Sequence, residues 1–186
     1  MMVKMAKYFV DADKFLLDSF RLAKIVYDSG YKPDTIVGLW RGGAIPTFAI
    51  DELFRFNRIN VPCYPLKTEA YAGNHLNKKI KIFGIRDTLK KIEKGSKLLL
   101  VDDVFDTGSS LEKVINKFSR KTRDIKIATI YYKPEKNKSR LTPDFYLQER
   151  NIWIVFPHEL EGLKLEEIKD KNEKLYDILT TRKLRN

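Results

Sequence analysis

The sequence predicts an α/β fold: a mainly parallel sheet flanked by helices. Three observations carry this. Lys97 to Val101 holds the unbroken apolar run Leu98-Leu99-Leu100-Val101, the composition of a strand buried on both faces. It is followed by a turn, a helical pattern over Ser109 to Ser119 and a further strand pattern over Ile125 to Tyr132, which together make a βαβ unit. A second short apolar run, Thr35 to Trp40, stops at Arg41-Gly42-Gly43 and leads into another helix, Pro46 to Phe56.

The remaining elements fit around these. Phe15, Leu16, Phe20, Ala23 and Tyr27 recur at helical spacing, so Asp13 to Ser29 is read as an amphipathic helix, with Asp11 or Asp13 able to cap it and Gly30 to end it. Val61 to Leu66 reads as a second strand. Lys79 to Ile85 alternates apolar and charged residues, as a half-exposed strand hairpinned with its predecessor would. Asp87 to Lys94 is an extra helical turn before the apolar run, and Leu163 to Arg182, rich in Lys, Glu and Leu, reads as one terminal helix. Repeats, low-complexity stretches and interdomain linkers are absent from the sequence, and 186 residues suit one domain.

Bulk composition narrows the class. Hydrophobic residues make up 43% of the chain, too many for a disordered one. No apolar run approaches the roughly 20 residues of a membrane span, and Met1 to Val10 lacks a secretory signal. Cys63, the single cysteine, has no partner for an internal disulfide and no Cys or His neighbours at metal-site spacing. These features point to the cytoplasm. The 36 Lys and Arg outnumber the 25 Asp and Glu by 11, a surplus that attracts anions. It is spread over Lys78 to Lys81, Lys90 to Lys94 and Lys133 to Lys138 rather than gathered in one block, so charge by itself decides nothing about partners, and a nucleic acid is not among those expected.

The chemistry-bearing segment follows the apolar run: Asp102-Asp103-Val104-Phe105-Asp106-Thr107-Gly108-Ser109-Ser110. Ligands of open α/β sheets gather at the carboxyl ends of the strands. Successive backbone N–H groups at a helix start, a glycine permitting close approach and three hydroxyls make Thr107 to Ser110 a phosphate cradle. Asp102 and Asp103 can accept from vicinal sugar hydroxyls or help hold a hard cation. Asp106 can handle a proton on a bound base. Helix capping, worth about 1 kcal/mol, accounts for one or two of these residues and not for three acids before a Thr-Gly-Ser-Ser run. A nucleotide-hydrolysing domain would carry a GxxxxGK[ST] loop, which the sequence lacks.

This segment resembles the phosphoribosyl-pyrophosphate signature of the type I phosphoribosyltransferases. The resemblance implies Asp102 and Asp103 at the ribose hydroxyls and their Mg2+, Asp106 beside the imidazole nitrogen of a purine, and Thr107, Gly108, Ser109 and Ser110 around the 5′-phosphate. Trp40-Arg41-Gly42-Gly43 resembles the family's pyrophosphate loop, in which the entering peptide, here Trp40-Arg41, is often cis. Tyr71 matches the catalytic lid, expected over Lys67 to His75, although Ala70 stands where the lid often has serine. Lys133-Pro134 and Trp153-Ile154-Val155-Phe156-Pro157 resemble, in order and spacing, the 6-oxopurine branch with its xanthine-guanine enzymes and archaeal relatives. That likeness implies Lys133 at the O6 oxygen, Trp153 over the ring, backbone carbonyls near Trp153 and Ile154 at a 2-amino group, and Glu159 near a second Mg2+. Val155 replaces the acid that bacterial xanthine-guanine enzymes carry after Trp-Ile.

The likeness runs from about Ile36 to Glu159. It implies one phosphoribosyltransferase domain over 1–186, with a core of about 30–135, a small base-binding hood of about 136–162 and a C-terminal helix of about 163–183. The expected partners are phosphoribosyl pyrophosphate (PRPP) and a purine base, giving a nucleoside monophosphate and pyrophosphate, in a homodimer or homotetramer. An adenine enzyme on the same framework and a PRPP-sensing, nucleic-acid-binding regulator of the same fold are the rival readings.

Overall fold

The computed structural model describes residues 6–71 and 79–181, with the side chains of Ala70, Tyr71 and Lys79 outside that description. The chain divides into two compact units: residues 16–151, and residues 1–15 with 152–186.

The larger unit is built on a six-stranded sheet. Its strands are β2 (Thr35–Trp40), β3 (Cys63–Tyr71), β4 (Lys79–Phe83), β5 (Leu98–Phe105), β6 (Ile125–Tyr132) and β7 (Phe145–Glu149), in the order β4-β3-β2-β5-β6-β7. All pairings are parallel except β3 with β4. The expected mainly parallel α/β sheet is therefore present. Leu98 to Val101 are fully buried at its centre, which is why this stretch is apolar at every position rather than at alternate ones. Val37, Leu39, Leu66, Phe105, Leu111, Val114 and Phe118 extend the same core.

Helix α1 (Ala12–Asp28) leads into this unit. Helix α2 (Ala44–Phe56) packs on β2, β3 and β5; α3 (Ile85–Lys91) lies on β3, and α4 (Ser109–Phe118) against β4. Chain order and sheet order together set the location of the site. After β2 the chain crosses through α2 to β3 on one side; after β5 it crosses through α4 to β6 on the other. The carboxyl ends of β2 and β5 thus flank the point where the winding reverses, where open sheets of this kind leave a crevice.

Several boundaries differ from the sequence reading. The strand expected to stop at Val101 runs on to Phe105, so Asp102 and Asp103 sit within β5. Once past the doubly covered centre, its residues alternate between fully and partly buried, the ordinary strand pattern. Residues Lys67 to Tyr71, read as part of a lid, belong to β3 and pair with Lys79 to Phe83. The rest of that lid, 72–75, lies outside the described residues. The unit also contains β7, and the stretch 136–151 joins the main sheet through it.

In the smaller unit β1 (Lys7–Phe9) pairs in parallel with β8 (Trp153–Val155), with Lys7 opposite Trp153 and Phe9 opposite Val155. The terminal helix is two helices, α5 (Leu165–Lys171) and α6 (Glu173–Thr180). Asn172 between them is extended, and its side chain accepts from the Leu175 N–H at 2.9 Å. Asparagine at that place gains more as the cap of a new helix than in the interior of a longer one. Among the described residues no helix is long and apolar enough to cross a membrane.

Candidate active site

In the larger unit the site grows from the ends of three neighbouring strands. Gly38 lies opposite Val101 in the β2–β5 register, so the turn after β2 runs alongside Asp102 and Asp103. The fit leaves no room for side chains. A Cβ on Gly42 would fall 2.3 Å from the carboxyl carbon of Asp103, and one on Gly43 would fall 2.3 Å from the carbonyl oxygen of Val101. Gly43 has φ −69°, open to any residue, so contact rather than conformation demands glycine there. The Trp40–Arg41 peptide entering this turn is cis. Arg41 follows on the exposed side.

Asp103 is only 7% exposed, and its N–H donates to Asp102 Oδ1 at 2.9 Å. Burial pushes the Asp102 carboxyl up to about 7, against the opposing pull of hydrogen bonds from Asp103 and from the Gly43 backbone. Two adjacent carboxylates suit Mg2+, which keeps several waters and binds through one or two carboxylates plus substrate oxygens. Among the described residues no group of three or more His, Cys, Asp or Glu gathers for a metal.

Beyond β5 the backbone turns at Gly108, with φ 76°, and α4 begins. No side chain caps this helix, although the Ser109 N–H makes a long 3.4 Å contact with Thr107 Oγ1. Thr107 Oγ1 in turn donates to Ser109 Oγ at 3.2 Å. Asp102, Asp106, Thr107, Gly108 and Ser110 line a concavity of ≈ 90 Å³ in front of the helix start, where N–H groups and the helix dipole favour an anion.

The β5–β6 register sets Phe105 opposite Tyr132, so Asp106 and Lys133, each one residue past its strand, are neighbours. The Lys133 N–H donates to the Phe105 carbonyl at 2.9 Å. Lys133 Nζ lies 3.1 Å from Asp106 Oδ2, its side chain 7% exposed against 42% for the aspartate. The other oxygen, Asp106 Oδ1, is buried and accepts no hydrogen bond among the described residues. Each residue was visible in the sequence; their pairing was not.

One neighbour was missed altogether. The Lys138 N–H donates to the Thr107 carbonyl at 3.1 Å, and a Cβ on Gly108 would fall 2.2 Å from Ser139 Oγ. Asn137 Oδ1 accepts from both the N–H and the Oγ of Ser139, at 2.9 Å each, and folds this loop onto the turn at Gly108. Asn-x-Ser in a polar stretch was the available signal, since such residues bend the backbone onto their own side chains.

Of the other expected residues, Trp153, Ile154 and Glu159 belong to the smaller unit and Tyr71 to the larger. Trp153 is 49% exposed, while Ile154 is buried. Glu159 Oε2 accepts from the Phe156 N–H at 3.0 Å, so one of its oxygens is engaged in its own turn. Tyr71 ends β3, and its side chain lies outside the described residues.

Known proteins share this fold. The phosphoribosyl transferase domain model matches residues 6–163. The chain is similar to the crystal structure of a purine phosphoribosyltransferase from Pyrococcus horikoshii Ot3, with 29% identity and a TM-score of 0.67, over 86% of this chain and 98% of that one. A Helicobacter pylori xanthine-guanine-hypoxanthine phosphoribosyltransferase matches at 25% identity and a TM-score of 0.67, over 89% and 99%. A Neisseria gonorrhoeae hypothetical protein solved with bound ppGpp shares the fold at 18% identity, with a TM-score of 0.75 over 95% and 98%. The sheet and its crossovers are those of the type I phosphoribosyltransferases. With a match that spans most of its length, the chain belongs to the phosphoribosyl transferase domain family of transferase enzymes.

Proposed function

We propose that the protein transfers the 5-phosphoribosyl group from PRPP to a 6-oxopurine (guanine, hypoxanthine or xanthine), releasing pyrophosphate in the cytoplasm. The observation that carries the choice of base is the Lys133–Asp106 pair, 3.1 Å apart at adjacent strand ends beside the phosphate turn. A 6-oxopurine presents an acceptor, O6, on the same edge as an imidazole nitrogen. An ammonium and a carboxylate side by side match that edge, whereas adenine sets an amino donor against the ammonium. The similarity to purine enzymes from Pyrococcus horikoshii and Helicobacter pylori supports the same reading.

On this reading the Thr107 to Ser110 turn holds the 5′-phosphate, and Asp102 and Asp103 hold the ribose hydroxyls together with Mg2+. The ion, when bound, supplies positive charge to the departing pyrophosphate. Arg41 adds a permanent cation to the same anion, with Gly42 and Gly43 letting the backbone approach it. Asp106 manages the proton of the base. To Trp153 and Ile154 the reading gives the purine ring and its 2-amino group, to Glu159 a second Mg2+, and to Tyr71 the exclusion of water from the reacting ribosyl carbon. The working form is a homo-oligomer.

Pyrophosphate release, measured with PRPP and each base in turn, tests this. Turnover with guanine and hypoxanthine well above that with adenine is expected. Use of adenine alone would overturn the choice of base.

A further inference from the structure

We propose that Lys171 is a positioning residue for base binding: its ammonium clamps the Phe156–Glu159 turn and so fixes the strand that carries Trp153 and Ile154. The proposal rests on the base-binding reading of those two residues.

Strand β8 needs such a fixture. It has three residues and, among the described residues, pairs only with the three of β1, and two-stranded pairings of this kind have little stability of their own. Trp153 is half exposed, so packing does not by itself set its ring; the backbone that carries it must be held from elsewhere. The chain after Trp153 supplies the hold. Ile154, Val155 and Phe156 are buried, and Phe156 packs against Phe15 at 5.4 Å between ring centres and stacks on His158 at 5.7 Å. Phe156, Pro157, His158 and Glu159 then form a turn with proline at its second position, where that residue is favoured. The Glu159 N–H donates to the Phe156 carbonyl at 3.1 Å, and the Phe156 N–H donates back to Glu159 Oε2 at 3.0 Å.

Lys171 closes this turn from outside. Its Nζ donates to the Phe156 carbonyl at 2.7 Å and to the Glu159 carbonyl at 2.6 Å. These are short, charge-assisted bonds to acceptors 15 and 12 residues earlier in the chain. A lysine in the last turn of a helix ordinarily lies over that helix's own carbonyls and in water. Here the ammonium is partly buried, and that burial lowers its pKa while the nearby Glu159 opposes the shift. The Lys7–Glu167 ion pair, 2.7 Å, ties the same helix to β1, so α5 braces both strands of the pair. The C-terminal helix thus acts on base binding through the backbone that carries Trp153 and Ile154.

Lys171→Met, Lys171→Gln and Lys171→Arg in the full chain test the proposal, with base and PRPP varied separately. Lys171→Met should raise KM for guanine or hypoxanthine roughly tenfold, equivalent to ~1.4 kcal/mol. KM for PRPP should stay within about twofold, because the phosphate turn is held by other elements. Lys171→Gln, which can reach one carbonyl, should fall between; Lys171→Arg should restore most of the affinity. Amide exchange over 153–159 should quicken in Lys171→Met and not in Lys171→Arg. Equal loss toward both substrates, no advantage of Arg over Met, or unchanged exchange over 153–159 would each overturn the clamp. A wild-type chain inactive with every purine would remove the base-binding reading instead, and the exchange comparison would still decide whether Lys171 holds the turn.

Discussion

Adjacent glycines at the end of β2 should respond to the same substitution in opposite ways. An added methyl at Gly42 meets the Asp103 carboxylate, 2.3–2.4 Å away at all three of its outer atoms. That carboxylate ends a side chain and can swing aside. Gly42→Ala should therefore cost little stability, about 1 kcal/mol, but move Asp103 from the place where it would meet ribose and Mg2+. An added methyl at Gly43 meets only backbone: Val101 O at 2.3 Å, Leu39 O at 2.8 Å and Leu39 N at 2.9 Å. None can move without parting β2 from β5 at the centre of the sheet. Overpacking of that kind costs about 3 kcal/mol, which for a chain of this size lowers Tm by about 6–12 °C. Thermal unfolding and kcat/KM for PRPP, measured on both variants, separate the two effects. Gly42→Ala should lose at least about tenfold in kcat/KM at nearly unchanged Tm, and Gly43→Ala should lose Tm first. Wild-type efficiency in Gly42→Ala, or a Tm for Gly43→Ala within about 1 °C of wild type, would refute the close-packing argument.

Asp106→Asn should lower kcat by roughly a hundredfold to ten-thousandfold while KM for PRPP changes little, since on the proposed reading it removes acid–base work on the base and leaves the Thr107 to Ser110 turn intact. It should also lower Tm, because the Lys133 ammonium, 7% exposed, loses its counter-ion. Lys133→Met should cut kcat/KM with guanine and hypoxanthine roughly tenfold to a hundredfold, the equivalent of one charge-assisted hydrogen bond, and leave any weak adenine reaction nearly unchanged. Arg41→Ala should weaken inhibition by pyrophosphate without abolishing it, as the backbone approach at Gly42 and Gly43 survives. Cys63, whose thiol is pushed up to about 12 by burial and by Asp51, should react with iodoacetamide at pH 8 roughly a thousandfold more slowly than a free cysteine. Alkylation at the ordinary rate would show that the site opens in solution.

What the sequence determined by itself was local. Leu98 to Val101 reads as a buried strand because every position is apolar, and the acids and hydroxyls after it are informative because they are contiguous. The turn at Gly108 and the start of α4 follow from residue type at consecutive positions, and so does the helix over Ala44–Phe56 to within two residues. The tertiary structure decided what depends on residues far apart in the chain. No periodicity states that β2 lies beside β5, yet that neighbourhood alone explains why Gly42 must be small against Asp103. The Lys133–Asp106 pair exists because two parallel strands end in register across 27 positions of sequence. Likewise β1 was invisible as a strand, being three residues long and paired with a segment near the other end of the chain. Asn172 looked like one polar residue in a helical run until its side chain was seen capping the next helix. Local signals arise from the chain's own period; pairing, register and close approach arise from packing, where long-range burial outweighs local preference.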